Sequence, residues 1–192
     1  MTTPADILAF WFEDDRTVAR KTWFQRDDAF DAAIRDRFGA TTEQAAAGAL
    51  DAWAETPDGA LALLIALDQF PRNLHRGTAR AFAADERARR IAREVVLNRR
   101  WDLPLSNPER TFLYLPFEHS EDMRDQDLSV ALFEGAMRDD PERRAPGSNI
   151  DYAWQHWLVI RRFGRFPHRN AALGRESTPE ELAYLAEPGA GF

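Results

Sequence analysis

Residues 161–175 gather five arginines and one histidine with no acidic residue among them, in a protein of net charge −7. Phe163, Gly164, Phe166 and Pro167 interleave with those charges, so the segment is not an ordinary solvated helix face. A guanidinium is a rigid fork of donors that matches carboxylate and phosphate oxygens. Such a stretch therefore either grips carboxylates of its own chain or is held open for an anion, and the residue types leave both readings open. Arg161 and Arg162 fall in the last turn of an expected helix, where cations are favoured, and Gly164 is its natural stop. Arg165, His168, Arg169 and Asn170 lie in the turn beyond.

Two other segments carry chemistry. Asp68 ends an expected helix that is apolar on every side, and a buried carboxylate there needs a cationic partner. Arg72, Arg76 and the 161–169 arginines are the candidates. In Leu115-Pro116-Phe117-Glu118-His119-Ser120-Glu121-Asp122, the proline kinks or ends a helix and polar residues crowd the junction. His119 is a candidate general base or ligand assisted by Glu121, or it only bonds a backbone carbonyl while Ser120 or Asp122 caps the next helix. Ser120 lacks a Gly-x-Ser-x-Gly elbow, which weakens a nucleophile reading. His156 shares a helix face with Tyr152 and Phe163 and reads as a core histidine. No His-x-His or His-Glu-x-x-His spacing occurs and there is no cysteine, so neither a metal nor another cofactor is expected.

Two function classes follow. In the first, a small anionic molecule is bound, with or without chemistry on it. Arg72, Asn73, Arg76, Arg162, Arg165, Arg169 and Asn170 hold its charge; His119 and His168 move protons; Asp68 and Glu121 orient them; Trp11, Tyr114 and Phe166 wall the site. In the second, stacked helical hairpins bind a protein or peptide and the arginine–carboxylate network is purely structural.

The elements that must position these residues read as helix after helix. Thr3-Pro4-Ala5-Asp6, Thr56-Pro57-Asp58, Asn107-Pro108, Ser148 with Asp151, and Thr178-Pro179-Glu180-Glu181 are start signals. Gly39 is expected to close a helix carrying Phe30, Ile34 and Phe38, and Thr42 to open another that ends near Trp53. Helices are further expected over 84–99 and around Leu128, Leu132 and Phe133, with a loop at 139–148. Phe70-Pro71 and Phe166-Pro167, each followed by Arg-Asn at a short distance, are both expected to turn the chain sharply. No strand ladder is visible. The expectation is an all-α single domain over 1–192, eight or nine helices in antiparallel hairpins, with a tail that frays from about 188.

Composition narrows the class. The chain is 44% hydrophobic with 13 Phe and 6 Trp, enough for a core, and a chain of this size buries roughly 70% of its unfolded surface. Its acidic balance argues against general nucleic-acid binding. No apolar run approaches the roughly 18–20 residues of a membrane span, and no secretory signal is visible, so a cytoplasmic location is expected. Nothing in the sequence sets an oligomeric state.

The chain resembles an uncharacterised family common in bacteria, domain of unknown function 924. The resemblance rests on Phe10-Trp11-Phe12, Trp23-Phe24, Leu67-Asp68-Gln69-Phe70-Pro71-Arg72-Asn73 and Arg76-Gly77-Thr78-Ala79-Arg80-Ala81-Phe82. It continues through Phe112-Leu113-Tyr114-Leu115-Pro116-Phe117-Glu118-His119-Ser120-Glu121-Asp122 and Arg162-Phe163-Gly164-Arg165-Phe166-Pro167-His168-Arg169-Asn170 to Gly174-Arg175. It implies an all-helical fold similar to the tetratricopeptide-repeat superfamily without consensus repeats, and it brings no established activity.

Overall fold

Helix capping decides where most elements begin. In the computed structural model, which describes residues 1–136 and 144–191, the helices are α1 (Pro4–Phe12), α2 (Asp28–Ala46), α3 (Pro57–Leu64), α4 (Phe70–Leu74) and α5 (Asp85–Arg93). They continue with α6 (Asn107–Glu118), α7 (Met123–Ala136), α8 (Asn149–Phe163) and α9 (Pro179–Leu185), and no strand occurs among the described residues. Thr3 with Asp6, and Thr178 with Glu181, form reciprocal capping boxes at α1 and α9. Thr56 accepts from the Gly59 N–H and Ser148 from the Asp151 N–H, which opens α3 and α8. The fold class is all-α. Of the expected 139–148 loop, 139–143 lie outside the described residues.

Two expectations are corrected. α2 does not stop at Gly39 but runs to Ala46, and no helix starts at Thr42. The Thr42 hydroxyl donates back to the Phe38 carbonyl at 3.0 Å, four residues earlier in the same helix, instead of capping a new one. Nor does the chain turn sharply at Pro71. α3 passes into a π-helical segment, Ile65–Gln69, and then into α4. Proline has no N–H to give the ladder, and a wide turn in which the Phe70 N–H reaches the Ile65 carbonyl absorbs the defect.

The contacts gather into two compact units, Met1–Arg76 with Arg80–Pro116, and Gly77–Ala79 with Phe117–Phe192. The first unit is built on aromatic rings. Trp11 packs edge-on against Phe70 at 5.7 Å and Phe112 at 5.3 Å and lies parallel to Trp23 at 6.0 Å, and Phe38 stacks on Phe70 at 5.3 Å. Arg20 closes the end of α1 by donating to the Phe10 and Trp11 carbonyls at 3.0 and 2.8 Å, and the Trp23 indole adds a bond to the latter.

In the second unit α7 and α8 run antiparallel. The Trp157 indole donates to Asp127 at 2.7 Å and the Trp154 indole to Glu134 at 3.3 Å, so one helix ascends as the other descends. Val159, Ile160 and Phe166 form a core with Met123, Phe163 and Tyr184 against it. Gly164 ends α8 at φ +70°, where a side chain would be strained, and its N–H returns to the Ile160 carbonyl. Among the described residues, no helix is long and apolar enough to cross a membrane.

Candidate functional site

The cationic segment is held mainly by carboxylates of its own unit. Arg165 forks onto Glu181 with bonds of 2.6 and 2.8 Å, and Arg175 forks onto Glu121 with bonds of 2.7 and 2.9 Å. Glu121 also accepts the Phe166 N–H at 2.8 Å, so it fixes the start of the turn that carries His168. Asn170 donates to Ser177 and Glu181 and accepts from Arg175 Nε at 2.9 Å. Arg162 reaches Glu180 at 2.9 Å on the surface. The Arg165 fork, aided by the Thr178 N–H, pushes the Glu181 carboxyl down to about 2 against the opposing effect of burial. Burial would raise the Glu121 carboxyl, but Arg175, the Phe166 N–H and the Arg169 charge outweigh it and hold it below the usual range.

The first unit has its own polar cluster on the π segment and α4. Asp68, 1% exposed, accepts from Gln69 Nε2 at 2.6 Å and lies 3.3 Å from Arg72. Arg72 forks onto Asp85 with two bonds of 3.0 Å, and it donates to the Asp68 carbonyl. Burial works to lower the Arg72 pKa, yet the two aspartates outweigh it and raise it. Asp31 takes Arg76 at 2.8 and 2.9 Å and Asn73 at 2.7 Å. The Tyr114 hydroxyl donates to Asp102 at 2.8 Å, and burial followed by that carboxylate pushes its pKa up. Trp11 is wholly buried among the rings of the core.

His168 and Arg169 come together around the buried Phe166 ring in the second unit, and His119 joins them through its backbone carbonyl and the ring of His156. His168 and Arg169 belong to a 3-10 turn, Pro167–Arg169, and His119 follows α6 directly. Phe166 lies 5.5 Å from His168 and 5.5 Å from His156, ring to ring, and the Arg169 guanidinium stacks 4.4 Å over it. Arg169 also donates to the His119 carbonyl at 3.0 Å, and the His119 ring is 6.2 Å from that of His156. Gly191 passes so near that a Cβ there would meet the Cβ of His168 at 3.1 Å.

His156 and Glu118 complete this group. His156 Nδ1 is 2.9 Å from the Tyr152 carbonyl and 3.3 Å from Glu118 Oε1. Both neighbours accept, so Nδ1 carries the hydrogen. Burial first, then the nearby His119, Arg169 and His168, hold the His156 pKa well below its ordinary value. The sequence reading of His156 as a core histidine is right about burial but missed its company. The available signal was Tyr152 one helical turn before His156, with Glu118 beside His119. Ser120 donates to the Asp125 carboxylate at 2.8 Å and not to a histidine, and Gln126 closes the end of α6 through the Glu118 and Ser120 carbonyls. Among the described residues, no group of three or more His, Asp or Glu is placed to hold a metal ion.

These groups fix a pH response. His156 is neutral in the fold, whereas in the unfolded chain it takes up a proton near pH 6.5, so stability falls as pH drops through that value. Asp31, Glu121 and Glu181 have depressed pKa values, and their stabilisation, full above about pH 4.5, is lost as pH falls further. The melting temperature is expected to decline in two stages on acidification. In His156→Gln the stage near pH 6.5 should shrink to the share left by His75, whose pKa burial also lowers, while the lower one persists.

A search of curated proteins finds no match. A solved structure described as a protein of unknown function, ATU0120, from Agrobacterium tumefaciens is 41% identical, with a TM-score of 0.83. The alignment covers 95% of this chain and 96% of that one. The model of a bacterial family of unknown function, DUF924, matches residues 7–189, and the chain belongs to that family.

Proposed function

We propose that the chain binds a small anionic molecule, a carboxylate or phosphate compound, against the imidazoles of His119 and His168. The observation that carries the reading is the gathering of His156, His168 and the Arg169 guanidinium around Phe166 with the His119 ring beside His156, and His119, Arg169 and His168 each disfavour a proton on His156. The Glu118 carboxylate lies 3.3 Å from His156 Nδ1, and Arg169, His119 and His168 are the groups that would draw an anion. His119 and His168 are half-buried and so remain within a ligand's reach; His156 and Arg169 are buried and form the wall behind them. Arg72, Arg76, Arg162 and Arg165 fall outside the proposed ligand set, because each already faces a carboxylate of the chain. Glu121 acts by holding the turn, and Asp68 by anchoring its own cluster. A cytoplasmic location goes with this reading.

The test is thermal stabilisation by inorganic phosphate and by citrate at pH 6 and pH 8. A ligand of the folded state raises stability by about 2.7 kcal/mol at one hundred times its dissociation constant. Binding to imidazolium gives a larger shift at pH 6 than at pH 8, and the shift disappears in His119→Gln/His168→Gln. Equal shifts in the wild type and this double variant, or none with either anion, would overturn the proposal.

A further inference from the structure

One face of α8 is left uncovered. Trp154 and Leu158 are 39% and 56% exposed, with Trp157 half-buried and Arg161 exposed beside them. Positions 154, 157, 158 and 161 recur at three- and four-residue spacing and so form one stripe along the helix. The two indoles meet edge-on at 5.3 Å and the Arg161 guanidinium lies 5.0 Å over Trp157. Arg162 and Arg165 are paired with Glu180 and Glu181, but among the described residues Arg161 meets no carboxylate. At the other end of the stripe stands an acid. Glu134 of α7 accepts the Trp154 indole N–H at 3.3 Å, shares a 2.7 Å pair with Arg144 and stays 24% exposed.

We infer that this stripe is where a second copy of the chain docks, α8 against α8, antiparallel about a two-fold axis between Trp157 and Leu158. The occupant follows from the arrangement of charge. The stripe carries a cation at one end and, at the other, an acid shared with Arg144; between them lie Leu158 and Trp157, whose indole is held by Asp127. This head-to-tail order is the self-complementary pattern a two-fold contact needs. The axis pairs Trp157 with Leu158 of the second copy and Trp154 with Arg161 of the second copy. That guanidinium then gains an indole face and the Glu134 carboxylate behind it, and symmetry makes the contact twice. An acidic peptide would satisfy Arg161 alone and leave the Glu134 end of the stripe, shared with Arg144, unmatched. The 15 residues of α8 span about 22 Å at the usual rise. That face is small beside the roughly 800 Å² per partner of a standard interface, so the association is weak and concentration-dependent.

Sedimentation equilibrium over a wide concentration range tests it, with circular dichroism to check each variant's fold. The wild type shows a monomer–dimer equilibrium, and Leu158→Glu weakens it by about tenfold or more, the equivalent of at least 1.4 kcal/mol. Arg161→Glu and Glu134→Arg each lose the dimer when alone. Mixed in equal amounts they recover it, because a heterodimer keeps one native pair and gains one reversed pair. A wild type that stays monomeric throughout overturns the inference. So does a dimer indifferent to Leu158→Glu, or a mixture no better than its separate components, which would assign the stripe to some other partner.

Discussion

Arg72→Ala is expected to destabilise the protein by about 3 kcal/mol, the lower end of the range for breaking a buried ion pair. The arginine lies between Asp68 and Asp85 and donates to both side chains' surroundings: a fork onto Asp85, a 3.3 Å approach to Asp68 and a bond to the Asp68 carbonyl. Removing it leaves two carboxylates in place, one of them 1% exposed, with less positive charge beside them. The lower end of the range applies because Asp68 keeps its bond from Gln69. Urea denaturation reads the loss as a lower midpoint at unchanged slope. Arg72→Lys should recover less than half of it, since an ammonium supplies charge but cannot form the fork. A loss below about 1 kcal/mol in Arg72→Ala would mean that the aspartates are neutralised by other means.

Phe166→Ala is expected to cost about 3–5 kcal/mol, the usual range for deleting a buried phenyl ring. Phe166 is fully buried and packs in the core with Val159 and Ile160. It also carries Arg169 on its face and His156 and His168 at its edges, so its loss frees three cationic or titratable groups at once. Phe166→Leu separates packing from positioning. Leucine restores much of the buried volume and should recover more than half of the stability measured by denaturation. It offers no ring face to Arg169, so stabilisation by phosphate at pH 6 should stay below that of the wild type.

The parts of the fold legible in the sequence are those decided within one turn of chain. Thr3 with Asp6, Ser148 with Asp151, and Thr178 with Glu181 are cap and partner three residues apart, and Gly164 ends α8 by its own backbone freedom. Gly39 and Thr42 misled because the same residue types are tolerated inside a helix: a glycine can stay helical, and a threonine can bond backward. Pro71 misled for a different reason. The missing N–H is a local fact, but its repair by a wide turn depends on a helix that is buried along its length. For the candidate site, the residue types were legible and the pairings were not. Arg165 chooses Glu181 and Arg175 chooses Glu121, partners 16 and 54 residues distant. No local pattern assigns one acid in preference to another at such distances.

The wide turn at Ile65–Gln69 also sets the angular phase of everything that follows it. A π turn accommodates one residue more than an α turn over the same length, so α4 is rotated by about 100° relative to a plain continuation of α3. Arg72 and Asn73 therefore point where an uninterrupted helix would have placed their neighbours. Asn73 meets Asp31, and Arg72 meets Asp85, in that rotated phase. One surplus residue, spread over a single turn, thus selects which side chains of α4 meet the acids of α2 and α5.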